Sequence, residues 1–574
     1  MTAAVATTFT GPPLEETDGI GALTLPGFLA EVVGRSGTSE AVVLDDPLRD
    51  GATVRWSYDD LGREARRIGR ALVAAGIGPG RTVAILMGNR PEALAAIFGA
   101  TLAGAVAAPV STFAPRPELG ALLEACSADV VLTQHRLLAR HPDEDVATVA
   151  EDLVRAGRVV SLGTDGWDTF LAAGEADGGA HHDLDAVLDR RAAELTPDDP
   201  ALVILSSGTT AAPKAVLHAH RSPSLQFWVQ ARLFGRHPGT RMFSALPIFW
   251  TAGLNTAVGS TLAAGGCWVA QETFEAGSAL ALIERERVTE PYTLPHQTAA
   301  MAEHPDWAST DLSSVRCAFG KGAYARHPSV RPDPHWIMPV GYGLSETCAF
   351  VAGYGSDDSR EQVKVGHGRL LPGTRLRVVD PDSGRVLGPG EEGELVVAGS
   401  TLMLGYLGRD PLSCVDGDGF FHTGDAGHVD DDGIVHYTGR RTEMIKTGGA
   451  NVSPAEIEVA LRAFPPVKLS RVLGVPDERL DQLVVACIVC REGMAATEEE
   501  VTAFLRERVA AYKVPKRVLF LAEDEVPMTA GDTKVRDEEL RPIVLERLGL
   551  ADGRAGTAPT PTTTGSMQPE RETT

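Results

Sequence analysis

Hydrophobic positions in the first part of the chain follow two spacings, one typical of helices and one typical of buried strands. Helical spacing is shown by Leu61, Ala65, Ile68 and Leu72. The apolar run over 82–87 (TVAILM) then predicts a buried strand, and a helix is predicted from Pro91 to Ala103. Repeated strand–helix units of this kind predict parallel sheets with helices on both faces, so we expect an α/β fold.

The pattern changes in the second half of the chain. From about residue 365, short strands are separated by turns rich in Gly, Asp and Pro, which predicts a β-rich subdomain. A compact α+β segment is predicted after Gly439, with a helix from Pro454, strands over 470–476 and 483–490, and a helix near 497–510. Residues 1–20 and 551–574 are rich in Thr, Pro and Gly and poor in core-forming residues, so we predict flexible tails.

Composition and charge exclude several classes of partner. The chain has 574 residues, 43% hydrophobic and 23% charged, which is ordinary for a soluble protein with a sizeable core. No apolar run reaches the roughly 18 residues of a membrane span, and the N-terminus lacks the basic and apolar segments of a secretory signal. The net charge of −24 argues against nucleic acid or an anionic membrane as the partner. We therefore expect a cytoplasmic protein.

The strongest local signal is a candidate phosphate-binding loop within 201–216 (ALVILSSGTTAAPKAV). An apolar strand leads into a loop with hydroxyls, a glycine and a cation, supplied by Ser206, Ser207, Gly208, Thr209, Thr210 and Lys214. Such groups form an anion cradle suited to the β- and γ-phosphates of a nucleotide. The spacing is not that of a Walker A loop, and taken alone such a turn is more often an ordinary loop.

Three downstream segments supply what a nucleotide site still needs. In 341–347 (GYGLSET), Tyr342 offers a flat ring for a base, Ser345 a donor for a phosphate oxygen and Glu346 a hard ligand for Mg²⁺. In 421–425 (FHTGD), Asp425 is expected in a tight turn, where it can accept hydrogen bonds from both ribose hydroxyls. Arg440 and Lys446 follow within 439–458 (GRRTEMIKTGGANVSPAEIE).

With these four segments in this order, the chain resembles the adenylate-forming superfamily of acyl-CoA synthetases, firefly luciferases and nonribosomal peptide adenylation domains. The likeness covers about residues 20–545 and includes LAGAVAAPV at 102–110 and GELVVAGSTLMLGY at 393–406. It implies a large N-terminal AMP-binding domain over 21–440, with βαβ layers, parallel-rich sheets and the β-rich subdomain. It also implies a small mobile α+β C-terminal domain over 441–550, with Thr442 at the hinge.

The resemblance implies an enzyme that uses ATP and Mg²⁺ to convert a carboxylic acid into an acyl-AMP and pyrophosphate. The C-terminal domain then rotates for thioester formation with CoA. The catalytic residues would be Lys534, Lys446 and Glu346, with Glu346 also the metal ligand. The ATP and AMP site would comprise Ser206, Ser207, Gly208, Thr209, Thr210, Lys214, Gly322, Ala323, Tyr342, Gly343, Ser345, Asp425 and Arg440.

Several positions depart from the family pattern. The motif P-x-T-x-x-G-K is matched by PMTAGDTK at 527–534, so Lys534 comes one residue late and Thr533 stands where glycine is usual. Ala211 and Ala215 stand where the family's phosphate loop has two later glycines, so the backbone can adopt fewer conformations there. These differences predict altered geometry or slower phosphate handling.

The resemblance places the acyl pocket at Trp250, Asn255, His296, Lys321 and Gly341. The segment 246–255 (LPIFWTAGLN) matches the family's aromatic gate, where Trp250 favours a ring or a short chain, or swings aside for a long one. The segment 319–324 (FGKGAY) is expected at a strand end where relatives carry small residues. Lys321 either meets an anionic group or fills the pocket there, or it extends into solvent.

The acceptor of the activated acid is left open by the sequence. Residues Gly448, Gly449 and Lys513 match the region that relatives use for CoA, which favours an acid–CoA ligase for a small or aromatic acid. One alternative is an ATP-dependent diazotase that activates nitrite for an aryl amine, and another is an enzyme that loads a carrier protein. A degenerate nucleotide-binding regulator is disfavoured because Glu346, Asp425 and Lys534 are retained.

Overall fold

The structure, a computed structural model, falls into two compact units that meet in the chain between Tyr437 and Thr438. It describes residues 7–175, 183–206, 213–318, 321–331, 340–356, 358, 363, 365–440, 444–447, 450–477, 480–509, 513–529 and 535–550.

The helices of the first unit are α1 (Leu25–Ser36), α2 (Tyr58–Ala74), α3 (Pro91–Leu102), α4 (Arg116–Ala125), α5 (Pro142–Val149), α6 (Glu151–Arg155), α7 (Asp165–Glu175), α8 (Leu184–Glu194), α9 (Arg221–Leu233), α10 (Ser260–Ala263), α11 (Ala276–Arg285), α12 (Pro295–Glu303) and α13 (Lys321–Arg326). A π-helical segment, Ala252–Gly259, directly precedes α10. Every helix in the described ranges of the chain is too short or too polar to span a bilayer.

Two sheets of mainly parallel strands form the layers of this unit. Their strands are β2 (Glu40–Asp46), β3 (Ala52–Ser57), β4 (Thr82–Leu86), β5 (Val106–Pro109), β6 (Val130–Gln134), β7 (Val159–Leu162), β8 (Pro200–Ser206), β9 (Lys214–Ala219), β10 (Arg241–Ser244), β11 (Cys267–Ala270), β12 (Glu290–Pro291) and β18 (Gly405–Tyr406). One sheet has the order β18-β9-β8-β5-β4-β6-β7, and the other has the order β12-β10-β11-β2-β3. The predicted α/β class, with parallel-rich sheets, is confirmed.

The later strands of the first unit form two antiparallel sheets, as predicted for the β-rich subdomain. Their strands are β1 (Phe9–Thr10), β13 (Gly341–Leu344), β14 (Ala349–Gly353), β15 (Arg369–Leu370), β16 (Thr374–Val379), β17 (Gly393–Gly399), β19 (Phe421–Val429) and β20 (Val435–Arg440), whose last three residues belong to the second unit. The sheet orders are β13-β14-β15 and β1-β16-β17-β19-β20.

Local sequence signals explain why α2 and α3 lie where they do. Helix α2 begins with a capping box in which Ser57 and Asp60 satisfy each other's backbone N–H groups, and the predicted apolar positions face the core. Helix α3 has Pro91 as its first residue, and every one of its side chains is buried. The contact between α2 and α3 is close: a Cβ at Gly99 would lie 2.8 Å from the Ala65 carbonyl oxygen.

The second unit has its own sheet and its own buried clusters. Its elements are β21 (Ile445–Thr447), β22 (Ala450–Val452), α14 (Pro454–Arg462), β23 (Val467–Asp477), β24 (Asp481–Cys490), α15 (Glu498–Arg506), β25 (Arg517–Phe520) and α16 (Asp537–Arg547). The sheet order is β22-β21-β24-β23, with β25 added parallel to β24. The predicted α+β character of this segment is confirmed.

Three local expectations differ from the structure. The predicted flexible tail over 1–20 includes β1, because the backbone of Phe9 and Thr10 pairs with the edge strand β16. The predicted strand end at 319–324 is helical from Lys321 onward, in α13, while residues 319–320 lie outside the described residues. Asp425 lies within strand β19 rather than in a tight turn.

Candidate functional site

The candidate phosphate loop lies where the parallel strand β8 ends and the chain returns as β9. Ser206 is the last residue of β8 and pairs with Lys214, the first residue of β9. The intervening Ser207, Gly208, Thr209 and Thr210 lie outside the described residues. The strand geometry thus fixes both ends of the loop, with the lysine at its exit.

Lys214 is linked to Glu346 through an aromatic ring. The Nζ atom of Lys214 lies 5.4 Å from the ring centroid of Tyr406, and the Tyr406 hydroxyl donates to Glu346 Oε1 at 2.8 Å. Burial, together with the charge and hydrogen bond of Glu346, raises the pKa of Tyr406. Tyr406 therefore stays a neutral donor, and it brings the cation of the loop and the predicted metal ligand into one cluster.

The Glu346 carboxylate suits Mg²⁺ as a ligand. It is half-buried, and its Oε1 atom accepts a hydrogen bond from Tyr406. Mg²⁺ prefers hard oxygen ligands and usually takes one or two carboxylates together with substrate phosphates. A cation held by Glu346 would have Tyr406 as a neighbour, as Lys214 does.

Tyr342 and Asp425, both predicted in the nucleotide site, are in direct contact. The Tyr342 hydroxyl donates to Asp425 Oδ2 at 2.8 Å, and the Tyr342 ring stacks on Tyr437 with centroids 5.5 Å apart. Asp425 is only 3% exposed. A positive φ at Gly424 and a register shift against β17 form an irregularity in β19 that aims the carboxylate at Tyr342.

The glycines beside Tyr342 are required by the close approach of β13 and β14. A Cβ at Gly341 would lie 2.8 Å from the Ala352 carbonyl oxygen, and one at Gly343 would overlap the Ala349 carbonyl oxygen. The register shifts between Tyr342 and Gly343. These glycines therefore serve the backbone pairing that presents the tyrosine.

The predicted acyl-pocket residues are placed in different surroundings. Trp250 is half-buried and packs edge-on against Phe113 and Phe249, with ring centroids 5.9 Å and 5.6 Å away. Asn255 is fully buried in the π-helical segment. His296 is exposed near the start of α12.

The remaining predicted residues of the first unit lie on α13. Gly322 and Ala323 belong to this short helix, with Gly322 exposed and Ala323 half-buried. The backbone of Lys321 begins the helix, and its side chain is outside the described part of the structure. The role of Lys321 stays a prediction.

In the second unit the structure describes only some of the predicted residues. Arg440 is exposed at the end of β20, and the backbone of Lys446 lies in β21. Lys513 Nζ pairs with Glu456 at 2.6 Å. Thr442, Gly448, Gly449 and Lys534 lie outside the described residues.

Several residues of the site were not predicted from sequence. Tyr406 is the last residue of the segment 393–406 (GELVVAGSTLMLGY), which resembles the family but carries no local sign of a functional tyrosine, and Tyr437 has no local signal. His218 is fully buried in β9, where its Nε2 bonds the Ser345 carbonyl oxygen at 2.9 Å. Burial lowers the pKa of His218 to about 4, so the ring is neutral and donates this bond. Gln226 and Gln230 lie four residues apart in an otherwise apolar stretch of α9, 225–231 (LQFWVQA), and sequence analysis could have used this signal.

Each of the two units contains a segment that matches a family model. Residues 29–407 match the model for the AMP-binding enzyme, and residues 456–532 match the model for the AMP-binding enzyme C-terminal domain. Among solved structures, ATP-bound MatB from Rhodopseudomonas palustris is similar with a TM-score of 0.73 and 26% identity, covering 90% of this chain and 98% of that one.

Curated relatives share most of their length with this chain. A feruloyl-CoA synthase from Amycolatopsis sp is 34% identical over 86% of this chain and 95% of its own length. An indoleacetate–CoA ligase from Aromatoleum aromaticum is 34% identical over 86% of this chain and 94% of its own length. The 4-coumarate–CoA ligase 1 of Oryza sativa subsp. japonica is 31% identical over 86% of this chain and 88% of its own length. The chain therefore belongs to the AMP-binding enzyme family of the adenylate-forming superfamily and is an adenylate-forming ligase.

Proposed function

We propose that this ligase activates a carboxylic acid that carries an aromatic ring and transfers the acyl group to CoA. The observation that carries the ATP-dependent activation is the contact chain from Lys214 through Tyr406 to Glu346, which joins a cation at the exit of the phosphate loop to a carboxylate of the type that Mg²⁺ prefers. The similarity to ligases of feruloyl, indoleacetate and coumarate substrates supports an aromatic acid. The aromatic cluster of Phe113, Phe249 and Trp250 supports the same class of substrate.

In the first step, an oxygen of the substrate carboxylate attacks the α-phosphorus of ATP. The P–O bond to pyrophosphate breaks, and the products are acyl-AMP and pyrophosphate. Lys214 balances negative charge on the departing phosphates, and Asp425 accepts hydrogen bonds from the ribose. Mg²⁺, when bound by Glu346, would supply further charge neutralisation. The Lys534 ammonium would meet the α-phosphate as charge develops there.

In the second step, the CoA sulfur attacks the acyl carbon and AMP leaves with the electrons of the broken C–O bond. We assign Lys446, Gly448, Gly449 and Lys513 to this half-reaction. The Lys513 ammonium is paired with Glu456, so binding of a CoA phosphate would exchange one carboxylate partner for a phosphate.

The substrate class is tested by pyrophosphate release with a panel of acids. Ferulate, 4-coumarate, indoleacetate and benzoate are compared with acetate and octanoate, and CoA thioesters are identified by mass spectrometry. We expect kcat/KM to be at least about tenfold higher for the best aromatic acid than for either alkanoate, because ring contacts add roughly 1–3 kcal/mol. Turnover only with alkanoates, only with nitrite and an aryl amine, or only with a carrier protein would overturn the proposal.

The two lysines of the second unit should separate the two half-reactions. Lys534→Ala should lower the rate of acyl-AMP formation by about a thousandfold while ATP binding stays within twofold, because the lysine acts on charge that develops in the transition state. Lys446→Ala should slow thioester formation from preformed acyl-AMP more than it slows adenylation. Single-turnover kinetics of each step measure both effects, and equal losses in the two steps for Lys446→Ala would contradict its assignment.

A further inference from the structure

Glu346 lies in a short turn between β13 and β14, which we call the Glu346 turn and define as residues 345–348. Its first two carbonyl oxygens are both engaged. The Ser345 oxygen accepts from His218 Nε2 at 2.9 Å, and the Glu346 oxygen accepts from the backbone N–H of Met403 at 2.8 Å.

The last two carbonyl oxygens of the turn are also engaged by buried side chains. The Thr347 oxygen accepts from Gln226 Nε2 at 3.2 Å, and the same nitrogen donates to the Phe350 oxygen at 2.7 Å. The Cys348 oxygen accepts from the Asn255 side-chain amide. Each carbonyl oxygen of the Glu346 turn is therefore held by a donor from elsewhere in the fold.

The three side-chain donors come from three separate elements. His218 is on β9, Gln226 on α9 and Asn255 on the π-helical segment, and none of them is more than 1% exposed. Burying an imidazole and two carboxamides is unfavourable unless they are hydrogen-bonded. Here all three side chains donate hydrogen bonds to backbone carbonyl oxygens of the turn that carries the Glu346 carboxylate.

The Glu346 turn needs such support because its backbone is strained. Cys348 has a φ of 63°, a left-handed conformation that costs a non-glycine residue of the order of 1 kcal/mol. Tyr406 fixes the carboxylate from the side-chain end, at Oε1. The backbone and the side chain of Glu346 are therefore each held by separate contacts.

We propose that His218, Gln226 and Asn255 are positioning residues that fix the Glu346 turn so that its carboxylate meets the Mg²⁺ that accompanies ATP. This inference rests on the proposed function. Mg²⁺ tolerates little departure from octahedral geometry at about 2.0–2.1 Å, so a small shift of the carboxylate weakens its binding. The three residues touch the backbone of the turn and act through Glu346.

The test compares the affinity for ATP in excess Mg²⁺ with that in EDTA, by calorimetry and without an acid, so that no turnover occurs. In His218→Phe and in Gln226→Met, we expect the dissociation constant in Mg²⁺ to rise about tenfold, as for other residues that orient a metal ligand. The dissociation constant in EDTA should change less than twofold. In His218→Gln, the dissociation constant for ATP in Mg²⁺ should return most of the way to the wild-type value. The glutamine amide nitrogen reaches about as far as histidine Nε2 and can donate the same hydrogen bond.

The matched control is Gln134→Met. Gln134 is also fully buried and also donates to a backbone oxygen, that of Arg136 at 2.7 Å, but it does not touch the Glu346 turn. The Gln134→Met variant should be less stable than the wild type, but its dissociation constants for ATP in Mg²⁺ and in EDTA should be unchanged. Circular dichroism checks the fold of every variant.

The outcomes distinguish this inference from the proposed function. If the wild type binds no ATP and releases no pyrophosphate, the proposed function fails. If the wild type is active but Glu346→Gln lacks the selective loss in Mg²⁺, or if His218→Phe and Gln226→Met retain wild-type affinity, the inference is overturned. If both His218→Phe and Gln226→Met fail to fold, the hydrogen bonds of His218 and Gln226 serve stability alone, and the inference is also overturned.

Discussion

Asp425 and Tyr342 are 83 residues apart in the chain and share a hydrogen bond in the site. Replacing Asp425 with Asn exchanges one carboxylate oxygen for an amide donor, which would remove the proposed charge-assisted bonds to the ribose and would disturb the contact with the tyrosine. We expect the affinity for ATP to fall about 10- to 100-fold, since hydrogen bonds to charged groups contribute roughly 1.5–3 kcal/mol. Calorimetric titration with ATP measures this loss.

A ribose analogue provides the control for that prediction. Wild-type protein should bind 3′-deoxyATP more weakly than ATP, and Asp425→Asn should discriminate much less between the two nucleotides. Tyr342→Phe keeps the carboxylate, so it should weaken ATP binding less than Asp425→Asn and should retain the discrimination. Equal discrimination by wild type and Asp425→Asn would contradict a role of Asp425 at the ribose.

At this scale, sequence could propose residues whose chemistry is carried by a local motif, such as Glu346 and Asp425. It could not propose Tyr406 or His218, because their significance depends on partners brought near by the fold. The partner of Tyr406 is a carboxylate 60 residues away, and that of His218 is a backbone carbonyl 127 residues away. Composition and spacing carry no information about such contacts.

At the scale of elements, one buried arginine joins the ends of several strands. Arg90, which precedes α3 and is 1% exposed, bonds Glu272 at 2.8 Å, Glu92 at 3.0 Å and Asp46 at 3.2 Å. Asp46 ends β2 and Glu272 follows β11, so the arginine connects one sheet to the helix that covers the other. Gln134, the last residue of β6, also donates to Glu272 at 3.0 Å.

We predict that Arg90→Met destabilises the first unit by about 3–5 kcal/mol at pH 7.5, because buried carboxylates lose their cation. Burial already raises the pKa of Glu272, so the folded state binds this proton more tightly than the unfolded state does. Such a group favours folding at low pH and loses that contribution as pH rises through the raised pKa. Without Arg90 the pKa rises further, and the destabilisation should be about 1–2 kcal/mol smaller at pH 5.5.

Urea denaturation of wild type and variant at the two pH values checks this prediction. Arg116→Met is the control, because Arg116 pairs with Asp145 at 2.7 Å while its own side chain is 54% exposed, and such pairs contribute at most about 1 kcal/mol. An effect of Arg90→Met that is larger at pH 5.5 than at pH 7.5 would contradict the assigned role of the carboxylates.

Element boundaries show where periodicity suffices and where it does not. Helices α2 and α3 were predicted because their apolar spacing and their start signals agree. Strand β1 was missed because two residues carry no period, and its pairing with β16 is a tertiary contact. The irregularity at Asp425 was taken for a turn because glycine serves both structures equally well.

At the scale of the whole molecule, each of the two units buries a hydrophobic core of its own. Leu61 is fully buried in the core of the first unit, and Leu505 is fully buried in that of the second. The described contacts among Lys214, Tyr406 and Glu346 lie entirely in the first unit. The pattern predicted a compact α+β segment after Gly439, and the resemblance to the superfamily implied that this segment is a separate domain, but neither could predict which contacts each core makes.

We therefore predict two calorimetric unfolding transitions for the full chain. Leu61→Ala should lower the temperature of one transition, and Leu505→Ala should lower that of the other. Each substitution should reduce the free energy of unfolding of its unit by about 2–5 kcal/mol, as for buried leucines in other proteins. ATP with Mg²⁺ should raise the temperature of the transition that Leu61→Ala lowers, because ligand binding stabilises the unit that contains Lys214, Tyr406 and Glu346. The temperature of the other transition should stay the same within error. A single transition shifted alike by both variants would show that the cores unfold together, and ATP would then stabilise both variants equally.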